Sequence, residues 1–236
     1  MINSKTYYHR NLPHYQPLGY TYFVTFRLYD SLPIKVVEKL KTEYKIHLET
    51  ISAYSCESEK RNKYSEGKWN YFVKFDSNLD LYSNNNWLKD ERIAKLVYDS
   101  ILYRDNKEYE LIGFTIMPNH IHMVFSLVEQ TNCSLYKKTT KLIVEQADCT
   151  FENEKDKEQT DYSLYKVMQS LKWYTAKESN KILKRNGQFW QHESYDHVVR
   201  NEEELNRIIK YVLNNPVKAG LVEKLEDWEW NYCKYL

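Results

Sequence analysis

Along YTYFVTFRLY, residues 20 to 29, Tyr22, Val24 and Phe26 alternate with Phe23, Thr25 and Arg27. The period of two and the β-branched and aromatic content predict a first strand. Pro33 then introduces IKVVEKLKTEYKIHLETI, where Val36, Val37, Leu40, Tyr44 and Leu48 follow the helical period. Residues 55 to 90 are mostly polar and carry Asn84-Asn85-Asn86, so they read as a surface insertion. DERIAKLVYDSILYR places Ile93, Leu96, Val97, Ile101 and Leu102 on one helical face behind an Asp90 cap. YELIGFTIM and IHMVFSLV are two β-type runs separated by Pro118-Asn119-His120, the turn chemistry of adjacent antiparallel strands.

Residues 128 to 161 include the mixed charge run ENEKDKE and read as a second insertion or loop. Helical periodicity returns from Asp161 to Arg185 and stops at Asn186-Gly187. FWQHESYDHVV predicts a strand. Asn201 and Glu204 resemble a capping box for a final helix ended by Pro216, within a C-terminal helix and tail over 201 to 236. This order predicts an α+β, ferredoxin-like antiparallel sheet with helices mainly on one face, in a single domain over residues 1 to 236.

Composition narrows the partners only slightly. A formal net charge of +1 means that any attraction to nucleic acid comes from a local basic surface. Cys56, Cys133, Cys149 and Cys233 include no CxxC pair, which argues against a zinc ribbon or a dense disulfide framework. The opening MINSKTYYHRNLPHYQ lacks an apolar core, and no run approaches the ~20 residues that span a bilayer. A cytoplasmic protein without a membrane partner is expected.

Candidate chemistry begins at MPNHIHMVF. In a strand, His120 and His122 project to the same face and can converge on one ion. On the long helix, Leu164, Met168, Leu171, Thr175 and Ile182 define a core-facing stripe, and Tyr174, Glu178, Lys181 and Arg185 share one flank. A carboxylate beside a buried stripe is expensive unless it is paired, hydrogen-bonded or metal-bound. With the two imidazoles, Glu178 would suit Mg²⁺ or Mn²⁺. An i,i+3 ion pair from Glu178 to Lys181, with Tyr174 an ordinary flank residue, satisfies the same pattern.

MPNHIHMVF, MQSLKWYTAKESNK, FWQHESYDHVVRNEEEL and YVLNNPVKAGLV, in this order, resemble the REP-associated tyrosine transposases of the single-tyrosine HUH superfamily, which is insertion-sequence IS200-like. HRNLPHYQ and YFVTFRL resemble the family's opening as well. The resemblance implies a metal-dependent endonuclease and strand transferase acting on single-stranded DNA, at hairpins of palindromic repeats. It implies His120 and His122 as metal ligands and Tyr174 as the nucleophile, forming a covalent 5′-phosphotyrosine intermediate. Glu178 would take the third-ligand place four residues after the tyrosine, often Gln or Asn in related transposases. Asn119, beside the histidines, is a candidate to orient them.

For DNA contact, Lys172, Lys177, Lys181, Lys184 and Arg185 against the single acid Glu178 give a local balance of +4. Arg10 and His14, with Tyr15, mix cations and rings suited to single strands. A solvated helix face accounts for the charge run equally well. Two other functions fit the sequence: a domesticated, inactive DNA-binding protein of the same fold, and a phosphodiesterase using water as nucleophile. Monomer and homodimer are both open.

Overall fold

The computed structural model describes residues 19–52, 54–82, 84–127 and 164–235, and the backbone of two short N-terminal strands. These strands, β1 (Tyr7–His9) and β2 (Pro13–Tyr15), pair with each other. The main sheet contains β3 (Thr21–Arg27), β4 (Tyr109–Ile116), β5 (His120–Leu127), β6 (Tyr195–Val198) and β7 (Asn231–Cys233), in the order β6-β3-β5-β4-β7. Every neighbouring pair runs antiparallel. The helices are α1 (Ile34–Ser52), α2 (Glu57–Leu81), α3 (Glu91–Arg104), α4 (Leu164–Ile182) and α5 (Glu202–Lys218). The α+β antiparallel sheet expected from the sequence is present. The loop expected over 128 to 161 lies outside the described residues.

The helices, expected mainly on one face, divide between two. Alternation along β5 explains why, because both of its residue sets are buried. Ile121, Met123 and Phe125 pack with Val97 and Ile101 of α3 and with Leu164, Val167, Met168 and Leu171 of α4. Val124 joins Phe23, Phe72 of α2, and Ile208 and Val212 of α5 on the other side. His120 and His122 share that second face, and the β3–β5 register sets Thr25 opposite His122 and Arg27 opposite His120.

The segment expected to be a surface insertion contains α2, one of the walls of the fold. Phe72 and Leu79 are each 2% exposed and Asp76 is fully buried, at helical spacing along one side. Phe72 meets Phe23 edge to face at 5.2 Å. The helix is polar in composition because only this narrow side meets the core.

Caps follow the expected chemistry. Asp90 accepts from Arg92 N at 3.0 Å, opening α3. Asn201 accepts from Glu204 N at 2.8 Å, while the Glu204 carboxylate accepts from Arg200 N, opening α5. Pro216, expected to end this helix, lies inside its last turn, and the chain leaves through Gly220 at φ 69°. At the β4 bulge Gly113 passes close under β7, where a Cβ would lie 3.0 Å from Tyr232 O.

Candidate metal centre

His120 and His122 are 1% and 0% exposed, beneath α2 and α5. Thr25 Oγ1 meets His122 Nδ1 at 2.7 Å, and Asn119 Oδ1 meets His120 Nδ1 at 2.6 Å. The Asn119 amide also donates to Leu79 O and Tyr82 O, tying this turn to the end of α2. Each imidazole is thus held by Nδ1 with Nε2 turned inward. The two Nε2 atoms stand 3.1 Å apart, and Asp76 Oδ1 lies 3.4 Å from the first and 3.2 Å from the second.

Among the described residues, Asp76, His120 and His122 form the one group of three such side chains close enough to share an ion. Donors at right angles around an octahedral ion at about 2.1 Å stand about 3 Å from one another, so this triangle matches one face of an octahedron. Asp76 Oδ1 is buried without a hydrogen-bond partner. An inward-facing carboxylate oxygen and two inward-facing imidazole nitrogens fit a divalent cation, which would occupy the position where their lone pairs converge. Burial, and then His122, push the His120 pKa down to about 3, so this ligand is neutral and free to bind at neutral pH. Burial works to raise the Asp76 carboxyl, but the imidazoles and the Tyr211 hydroxyl outweigh it and keep it ionised.

Two α5 residues complete the site. Asn215, fully buried, places Nδ2 3.1 Å from both His122 Nε2 and Asp76 Oδ2. Its Oδ1 is buried without a partner, and the two ends of an amide exchange by a flip that would offer oxygen to the ion. Tyr211, one helical turn earlier, donates its hydroxyl to Asp76 Oδ2. Burial first, and Asp76 next, raise this phenol above its ordinary range. Lys218 lies 3.9 Å from Asp76 Oδ2 and 3.7 Å from Asp80 Oδ2, setting a half-exposed cation at the edge.

The structure does not bring Tyr174 and Glu178 to the histidines. Both lie on α4, whose apolar stripe packs against the opposite face of the sheet. Tyr174 is 41% exposed, with Arg104 Cζ 5.7 Å from its ring centroid. Glu178 pairs with Lys181 at 2.8 Å, the ion-pair alternative offered by the sequence. The carboxylate beside the imidazoles is Asp76. The spacing expected of nucleophile and ligand, four residues with Asn second, is met by Tyr211 and Asn215.

The cations expected to face DNA also have intrachain roles. Lys172 Nζ donates to Gln191 O at 2.6 Å and His192 O at 3.1 Å. Lys177 lies over Trp173. Arg185 stacks 4.0 Å from the Trp87 centroid and donates to Asn180 Oδ1. Arg10 falls outside the described residues, and only the backbone of His14 is described, in β2. No described helix is long and apolar enough to cross a membrane.

No protein-family model matches the chain. A Haemophilus influenzae protein named as a REP-associated tyrosine transposase is 23% identical over 123 residues, covering 52% of this chain and 58% of that protein. A second, uncharacterized H. influenzae protein is 28% identical over 108 residues, covering 44% of this chain and 52% of its own length. The chain thus spans about half the length of the curated relatives it matches. Among solved structures, that of a REP-associated tyrosine transposase bound to a REP hairpin aligns over 95% of this chain and 80% of its own, with TM-score 0.48 and 14% identity. Over the matched half, the chain is similar in sequence to a protein named as a REP-associated tyrosine transposase.

Proposed function

We propose that the chain is a divalent-metal-dependent enzyme that nicks and rejoins single-stranded DNA at hairpins, with Tyr211 as the nucleophile. The observation that carries this reading is the convergence of Tyr211, through Asp76, on the inward-facing nitrogens of His120 and His122. Asp76, His120 and His122 would hold Mg²⁺ or Mn²⁺, with Asn215 as a fourth donor. When bound, the cation supplies positive charge to a non-bridging phosphate oxygen and offsets the negative charge of Asp76.

The remaining steps belong to the side chains. Asp76 orients the Tyr211 phenol and accepts its proton as the oxygen attacks phosphorus. A Tyr211 O–P bond forms and the P–O3′ bond breaks, and the departing 3′-oxyanion takes up the proton held by Asp76 to become a 3′-hydroxyl. The phosphotyrosine retains the ester, so a second 3′-hydroxyl reverses these bonds and rejoins a strand without external energy. Helices α2 and α5 keep water from the centre. Lys218, at the edge, is placed to meet the negative charge of the incoming backbone.

DNA binding without cleavage is favoured by one observation, the near-complete burial of both imidazoles. Incubation with labelled hairpin oligonucleotides and Mn²⁺, resolved on a denaturing gel, separates the two readings. A protein-linked band supports the enzyme, and binding with no cleavage product supports the inactive relative.

A further inference from the structure

Arg27 is a cation enclosed by the fold with no carboxylate in ion-pair distance among the described residues. Its side chain lies on the histidine face of β3, opposite His120 in the register and 9% exposed. The guanidinium donates from Nη1 to Ser31 Oγ at 3.0 Å and lies 5.5 Å from the centroid of Phe75. Among the described residues no carboxylate stands within ion-pair distance of it, and Asp30 and Glu193 act on it only from farther away. Burial lowers its pKa, the sign of a charge that the surroundings do not compensate. An enclosed guanidinium is expensive unless an anion meets it.

Space for such an anion adjoins it. A cavity of about 110 Å³ is bounded by Arg27, Thr25, Tyr71, Asp76, Gln191 and Glu193. Two of these walls belong to the metal centre, since Thr25 holds His122 and Asp76 faces both imidazoles. Cross-strand partners have Cβ atoms about 5 Å apart, so Arg27 and His120 address neighbouring points of one bound chain. A guanidinium is suited to a phosphate, which it meets with two parallel hydrogen bonds.

We propose that this cavity receives a phosphate group adjacent to the one cleaved, with Arg27 as its counter-ion. Phosphate binding follows from the cavity itself, and the identity of the phosphate as a DNA phosphodiester rests on the proposed function.

The first test is thermal unfolding of the full chain in EDTA, in inorganic phosphate against chloride at equal ionic strength. Phosphate is expected to raise the Tm of wild type and of Arg27→Lys, and to leave Arg27→Met unmoved. In chloride, Arg27→Met should unfold no lower than wild type, because it removes an uncompensated charge. No phosphate-dependent rise in wild type, or a rise that survives in Arg27→Met, overturns the proposal. A second arm identifies the source, using single-stranded oligonucleotides carrying one methylphosphonate at successive positions, bound to Tyr211→Phe protein. If the site takes DNA, one position weakens binding to Tyr211→Phe but has no effect once Arg27→Met is added, and the salt slope falls by about one. Phosphate stabilisation without oligonucleotide binding would identify free phosphate as the ligand, sinking the nuclease reading and leaving the cavity's assignment intact.

Discussion

Asp76 Oδ1 stands 3.2 Å from His122 Nε2, both side chains fully buried, although one residue belongs to α2 and the other to the central strand β5. A charged carboxylate buried in that position requires compensation. A divalent cation would supply it directly, which makes this pair the heart of the candidate metal centre.

Metal binding should therefore depend on Asp76 and not on Glu178. In calorimetry with Mn²⁺, Asp76→Ala and the double change His120→Ala, His122→Ala should abolish binding with the circular dichroism unchanged. Asn119→Ala frees the Nδ1 side of His120 and should weaken binding by about 10- to 100-fold. Glu178→Gln should bind as wild type does. Loss of binding in Glu178→Gln with Asp76→Ala unaffected would restore the ligand set expected from the sequence.

Because α2 carries Asp76, its packing should govern both stability and metal affinity. Phe72 is 2% exposed between Phe23 and Tyr195, whose ring stacks on it at 4.2 Å. Phe72→Ala should cost about 3 to 5 kcal/mol in urea unfolding and weaken Mn²⁺ binding in the protein that remains folded. A loss below about 1 kcal/mol would mean that α2 is not part of the cooperative fold.

Much of this architecture was legible in the sequence. Alternation in YTYFVTFRLY and the paired runs around Pro118 marked three strands of the sheet, and Asn201 with Glu204 marked the start of α5. The histidines declared themselves by spacing. The proposed nucleophile and the third candidate ligand did not, because Tyr174 and Tyr211 both sit on amphipathic helices and one sequence does not reveal which face of the sheet a helix covers. One signal for Tyr211 was present: Asn215 follows it by four residues within YVLNNPVKAGLV, whereas Glu178 departs from the Gln or Asn of related transposases. Asp76 was hidden by the polar composition of α2. Its signal was an acid on the side of the helix that also carries Trp69, Phe72 and Leu79.

Asp80 makes a pH prediction. Burial, and then the charge of Asp76, push its pKa up to about 6, above the ordinary value near 3.9. The folded chain therefore holds a proton that the unfolded chain has released. This stabilising contribution is fully present below about pH 4 and lost as pH rises through about 6. In EDTA, the stability of Asp80→Asn relative to wild type should rise across that window and level off above it. A difference independent of pH between 4 and 7 would show that Asp80 titrates normally.

The proposed function stands or falls with the attack of Tyr211 on DNA. The most direct measurement is the yield of protein-linked DNA on a denaturing gel after incubation of wild type, Tyr211→Phe and Tyr174→Phe with Mn²⁺ and labelled single-stranded hairpins drawn from repeats flanking the gene. A covalent band is expected for wild type and Tyr174→Phe and none for Tyr211→Phe. A band that survives Tyr211→Phe and disappears in Tyr174→Phe would contradict it.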